Sequence, residues 1–300
     1  MPHERLEDLV TESRRDGPAD YETRSTRELV ESMNREDATV ATVVAAAAPA
    51  VAAVVDAIVE RLSRGGRLVY VGAGSSGRLA ALDAAECEST FSTEPGQVVA
   101  LVAGGEAASP HEQEAAEDDE EAGAHAVGEL GVGPGDVVVG VSASGRTPYV
   151  VGALRAAVDA GAGTACVVST PASALAELAE HEIAVVVGPE FVAGSTRLKA
   201  GTAQKLVLNT ISTVAMIRLE KTFGDLMVDV SPGNTKLRAR ARRAVADATG
   251  ARPEAVDQAL ADAGGNAKVA IVSLIAGVDA ETARSRLAGA GGSVQAALRS

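Results

Sequence analysis

The chain has 300 residues and a formal net charge of −14; 46% of it is hydrophobic, yet aromatic residues make up only 2% and Trp is absent. That hydrophobic share is enough for a sizeable core in one large domain or two ordinary ones, built from Ala, Val, Leu and Ile. The acidic balance repels nucleic-acid backbones and anionic membrane surfaces, and the lack of rings removes the stacking platforms that single-stranded nucleic acids use.

No nucleic-acid or membrane partner is therefore expected. Cys87 and Cys166 lie far apart in apolar stretches and read as small buried hydrophobes. His3, His111, His125 and His181 have no metal-ligand spacing, so no metal is expected. The amino terminus lacks the apolar core of a signal peptide. The Ala/Val-rich run Val40–Val55 is shorter than the roughly 18–20 residues of a membrane span and reads as a buried helix. A cytoplasmic protein is expected.

In chain order, residues 1–24 are polar and aperiodic and read as an arm. Ser25-Thr26-Arg27-Glu28 is a helix-start signal, and a long helix is expected from about Asp37 to Leu62, before Gly65-Gly66. Five apolar, β-branched runs then alternate with helical stretches: Arg67–Val71, Val98–Val102, Val137–Val141, Thr164–Val168 and Ile183–Val187. The helices between them are expected over Arg78–Glu86, Glu112–Leu130, Tyr149–Ala160 and Ala172–Glu180. Continuous apolar strands of this kind predict an α/β fold, a five-stranded parallel sheet flanked by helices on both faces. A long helix should follow from Leu198 to Thr222. Asp229–Asn234 then breaks the pattern, and residues 233–300 read as a small all-helical C-terminal domain with helices over Thr235–Thr249, Pro253–Leu260, Asn266–Ala276 and Ala280–Ala288. Residues 25–232 form the domain that carries the sheet.

Chemistry concentrates at two strand ends. The first strand runs into Gly72-Ala73-Gly74-Ser75-Ser76-Gly77, a literal G-x-G-x-x-G opening a helix. A dinucleotide reading is discounted, because no ribose-binding acid ends the second strand. The third strand runs into Ser142-Ala143-Ser144-Gly145-Arg146-Thr147, with Pro148 suited to a first helical turn. Each loop alone could be a turn with an N-capping serine. As a pair at strand ends they suit a phosphomonoester, held by hydroxyls, backbone N–H groups and helix dipoles.

Gly72–Arg78 with Ser142–Thr147 resembles the sugar isomerase (SIS) domain, which binds phosphosugars. Gly188–Lys205 is similar to a signature shared by N-acetylmuramic acid 6-phosphate etherases and glucokinase regulatory proteins. Leu82–Cys87 and Ala115–Asp119 resemble the etherase active-site segments specifically, and the likeness runs from about Leu6 to the carboxyl end. Glu88-Ser89 departs from it, since the etherase pattern has prolines there.

The resemblance implies cleavage of the D-lactyl ether of a phosphorylated amino sugar by elimination and water addition, a reaction that requires no cofactor. It assigns Glu86 as proton donor and Glu117 as second acid/base group. Without it, Glu86 is a solvated helix-end carboxylate and Glu117 part of a solvated acidic face. Gly74, Ser75, Ser76, Ser142, Ser144, Gly145, Arg146, Thr147, Glu190, Ser195 and Lys199 are the expected substrate- and phosphate-binding residues. A homodimer is expected from the Ala-rich helix and the resemblance. Two other readings share the fold: a non-catalytic sugar-phosphate sensor and an aldose–ketose phosphosugar isomerase.

Overall fold

A computed structural model describes residues 10–17, 20–105, 110–229 and 235–300. It divides into two compact units, the first running to Ala84 and resuming over Gly96–Ser212, the second taking Ala85–Pro95 and Thr213–Ser300. The break expected at Asp229–Asn234 lies, from Val230 onward, outside the described residues, as do the first nine residues of the arm.

In the first unit, Ser25 caps α1 (Thr26–Asp37) through a reciprocal capping box with Glu28. The single helix expected over Asp37–Leu62 is two, α2 (Val40–Ala46) and α3 (Ala48–Leu62). Pro49 is the reason. It has no N–H for the carbonyl one turn back and its ring crowds that carbonyl, so the helix restarts with Pro in its first turn. The axis bends by 58° there. Among the described residues no single helix is long and apolar enough to cross a membrane.

The sheet contains β1 (Leu68–Gly72), β2 (Val98–Val102), β3 (Val137–Val141), β4 (Gly163–Val168) and β5 (His181–Ala184), all parallel, in the order β2-β1-β3-β4-β5. Every residue of β1, β3 and β4 is buried, while the edge strands β2 and β5 are partly open. Full burial needs helices on both faces, which explains why these strands are runs of Val and not alternating patterns. α4 (Gly74–Phe91) follows β1, α5 (Pro110–Glu117) and α6 (Glu120–Glu129) follow β2, and α7 (Pro148–Asp159), α8 (Ala174–Leu178) and α9 (Lys199–Arg218) complete the set. One helix was expected over Glu112–Leu130. It is split because Asp119 caps a new start, accepting from Ala122 N. With few rings to fill space, helices approach closely. A methyl group on Gly123 of α6 would overlap the Tyr149 carbonyl of α7, and one on Gly152 would overlap the Glu120 carbonyl.

Asp136, 5% exposed, ties the starts of β1 and β3 together. It accepts from Arg67 N at 2.9 Å, from the Arg67 guanidinium at 3.1 and 2.7 Å, and from Gly133 N at 3.0 Å. Burial resists its ionisation, but the bonds from Arg67 and Gly133 outweigh that and hold its carboxyl below the usual range. Asp136→Ala leaves these donors unpaired and should lower the unfolding free energy by about 2–3 kcal/mol in urea titrations. Because the folded pKa is depressed, the ionised carboxylate stabilises the fold above the ordinary carboxylate range. The wild-type advantage should shrink as pH falls through the folded value. Cys166 on β4 is buried and its thiol is pushed up to about 12, first by burial and then by the charge of Glu182, which leaves it unreactive.

In the second unit a short antiparallel pair, β6 (Thr222–Phe223) and β7 (Leu226–Met227), turns through Gly224-Asp225 where the end of the long helix was expected. The helices α10 (Thr235–Thr249), α11 (Pro253–Asp262), α12 (Ala267–Ala276), α13 (Ala280–Gly289) and α14 (Val294–Ala297) follow. Asn266, Asp279 and Ser293 cap three of them, and Gly277 closes α12 in the left-handed conformation. α12 is the buried centre, with Val269, Ala270, Ile271 and Val272 at most 3% exposed.

Candidate active site

The strand order creates a crevice. β1 is followed by a strand on one side and β3 by a strand on the other, so the connections leave the sheet in opposite directions between them. Ligands of open parallel sheets sit at such a switch point, outside the carboxyl ends of the strands. Register sharpens this geometry. Gly72 pairs with Val141, so both strands end level; α4, expected from Arg78, already starts at Gly74, and its first turn emerges beside the loop Ser142–Thr147.

The second loop is organised by its own hydroxyls. Ser142 Oγ accepts from Gly145 N at 3.1 Å and lies 2.9 Å from Thr147 Oγ1, while Ser144 Oγ accepts from Arg146 N at 3.3 Å. Gly145 is required: its φ is +68°, and a side chain there would overlap Ser173. In the first turn of α4 Ser76 Oγ donates to Gln204 Oε1 of α9 at 2.9 Å, and Ser75 Oγ accepts from Arg78 at 3.3 Å.

These loops line a cleft of about 400 Å³. Its walls include Gly74, Ser75, Ser76, Ser142, Ser144 and Thr147, with Gly194–Arg197 opposite and Thr11 and Glu12 from the amino-terminal segment. Glu117, the last residue of α5, also lines it. Its Oε2 lies 3.7 Å from where a methyl group on Gly74 would be, which sets a carboxylate beside the first serine loop.

Of the residues singled out from sequence, eight line the cleft: Gly74, Ser75, Ser76, Glu117, Ser142, Ser144, Thr147 and Ser195. Gly145 and Arg146 are part of the second loop without lining the cleft. Glu190 is 1% exposed and turned toward α9, where its carboxylate accepts from Lys199 N and Ala200 N, both at 2.9 Å. Lys199 is 3% exposed and donates to Glu36 at 2.9 Å. Glu86 is an exposed residue of α4 and falls in the second unit. Thr11, Glu12 and Thr196 are among the cleft residues that escaped the sequence reading, as did the buried Gln204, which accepts from Ser76. The first two sit in an aperiodic polar stretch without a local signal, and Glu12 meets the Gly194 wall only through the tertiary fold.

The glucokinase regulatory protein N-terminal SIS domain family matches residues 50–158, and the SIS domain family matches residues 121–213. The fold is also that of a phosphoheptose isomerase from Francisella tularensis, at a TM-score of 0.52 and 18% identity, over 65% of this chain and all of that one. Similarity to whole relatives goes further. The N-acetylmuramic acid 6-phosphate etherase of Rubrobacter xylanophilus is 57% identical over 98% of this chain and 97% of its own length. This chain belongs to the N-acetylmuramic acid 6-phosphate etherase family. The etherase of Streptomyces avermitilis is 53% identical over 98% of this chain and 94% of its own. The etherase likeness therefore takes in both compact units, whereas the SIS-domain match ends at residue 213, where the second unit resumes.

Proposed function

We propose that this chain cleaves the D-lactyl ether of N-acetylmuramic acid 6-phosphate, giving N-acetylglucosamine 6-phosphate and D-lactate, as an enzyme of amino-sugar and cell-wall recycling. The observation that carries the chemistry is the position of the Glu117 carboxylate beside Gly74, in a cleft rich in serine and threonine hydroxyls. Measuring D-lactate release from the phosphorylated muramic acid tests it. Absence of release, or simple aldose–ketose interconversion of the sugar phosphate, would overturn it.

The departing group is an oxygen on C3, β to the aldehyde that ring opening exposes at C1. Loss of the C2 proton to a base forms the enolate. The C3–O bond then breaks as the lactate oxygen takes a proton from an acid, leaving an α,β-unsaturated aldehyde. Water adds at C3 and restores the saturated sugar. Lactate is a poor alkoxide leaving group, so the acid matters most in the bond-breaking step. Glu117 is the proposed base. The proton-donor role falls to Glu86, by the resemblance of Leu82–Cys87 to the family's segment.

Phosphate is proposed to sit between Ser75-Ser76 and Ser142–Thr147, drawn by hydroxyl donors and the start of α7. Binding energy from that unreactive end holds C2 and C3 in place. Gly145 and Arg146 shape this loop, Ser195 faces it, and Glu190 and Lys199 act on it indirectly, by fixing the start of α9. A sugar phosphate cannot cross a lipid bilayer unaided, which supports a cytoplasmic location. The net charge of −14 disfavours nucleic acid as a partner.

A homodimer is proposed as well. Ala41, Ala45, Ala46 and Ala48, around the α2–α3 bend, are exposed in the single chain, a small-residue surface suited to a second copy. Light scattering should give twice the 30.2 kDa chain mass. A mass of one chain at working concentration would refute it.

A further inference from the structure

Thr11 and Glu12 line the cleft, yet the roles proposed above leave them unused. Thr11 is 3% exposed, and its Oγ1 has no hydrogen-bond partner among the described residues. Buried hydroxyls are nearly always paired, so an enclosed, unpaired one on a residue of the cleft wall marks a bonding capacity that the described chain leaves unused. The Glu12 carboxylate lies against the opposite wall: a methyl group on Gly194 would stand 2.9 Å from its Oε2. Any larger residue than glycine at position 194 would push that carboxylate away.

The segment is held in place by several contacts. Tyr21 donates to the Phe191 carbonyl at 2.7 Å, and their rings stack at 4.8 Å. The Arg15 guanidinium lies over the Phe191 ring and pairs with Glu36 at 2.7 Å. Glu36 in turn pairs with the buried Lys199. What read as an arm in the sequence is thus a docked wall of the cleft.

The chemistry of the two side chains selects what they can face. A carboxylate only accepts hydrogen bonds, and it repels a phosphate dianion. Its ligand must therefore be a donor, a sugar hydroxyl or the N–H of an acetamido group, at the end away from the phosphate. A threonine hydroxyl beside it can donate to or accept from the same groups. We infer that Thr11 and Glu12 bind the hydroxyl and acetamido groups of the amino sugar and set the enzyme's preference among sugar phosphates. This rests on the phosphosugar reading given above.

Calorimetric titration of the full chain with N-acetylglucosamine 6-phosphate, and separately with inorganic phosphate, tests it without requiring turnover. Glu12→Gln should weaken the sugar phosphate about tenfold and Thr11→Val about threefold, with inorganic phosphate unaffected in both. Ser144→Ala should weaken both ligands, because it removes a proposed phosphate donor. Unchanged sugar-phosphate affinity in the two arm variants would overturn the inference. So would an equal loss of phosphate affinity, which would mean that the segment only props the serine loops. A wild-type chain that binds neither ligand would instead remove the phosphosugar reading itself, and this inference with it.

Discussion

Glu86→Gln is expected to lower D-lactate release by about 10²–10⁴-fold while leaving substrate binding nearly intact. The substitution keeps the shape of the side chain and removes its transferable proton. Departure of lactate would then have to proceed as an unassisted alkoxide, so the loss falls on the bond-breaking step. Proton exchange at C2 precedes that step, and deuterium from solvent should still enter C2 in this variant. The result matters because Glu86 is an exposed residue of the second unit, and the resemblance alone assigns it the donor role. Near-normal lactate release would withdraw the donor role from Glu86 and point to a carboxylate on the cleft wall.

Glu117→Gln should cause a loss of similar size with a different signature. An amide cannot take the C2 proton, so both lactate release and deuterium entry at C2 should fall by about 10²–10⁴-fold. If exchange persists while product formation stops, Glu117 acts on water addition and another group is the base. Because the two variants separate in the exchange experiment, the order of proton removal and ether cleavage can be read from them together.

Much of the architecture was legible because the chain punctuates it. Each run of Val and Ile is short and bounded by Gly, and helices can be placed between. The edge strand β5 shows the limit: the apolar run begins at Ile183, but the strand spans His181–Ala184, since an edge strand can carry polar His181 and Glu182. The breaks at Pro49 and Asp119 were hidden inside long alanine-rich and acidic stretches, where composition masked a single breaking or capping residue. Strand order was not readable from local pattern at all. The two serine loops stood out by spacing, because a turn between strand and helix is a local event. Glu190 and Lys199 show the opposite case. They lie in the signature stretch, but a buried carboxylate on a helix start and an ion pair with Glu36, 163 positions earlier, are tertiary facts.

The seat of Glu190 also bears on how a charged ligand can enter. α9 begins beside the wall formed by Gly194–Arg197, and a bare helix start there would attract anions as strongly as any other. Its first two amides are instead bonded to a carboxylate of its own chain, so that helix start offers them to no ligand. The start of α7 carries no such internal anion, since Thr147 makes no side-chain capping bond. Of these two helix starts, only that of α7 is left to draw an anion. A molecule with a phosphate at one end and neutral groups at the other has one favourable way in, and the reverse orientation is disfavoured before any specific contact forms.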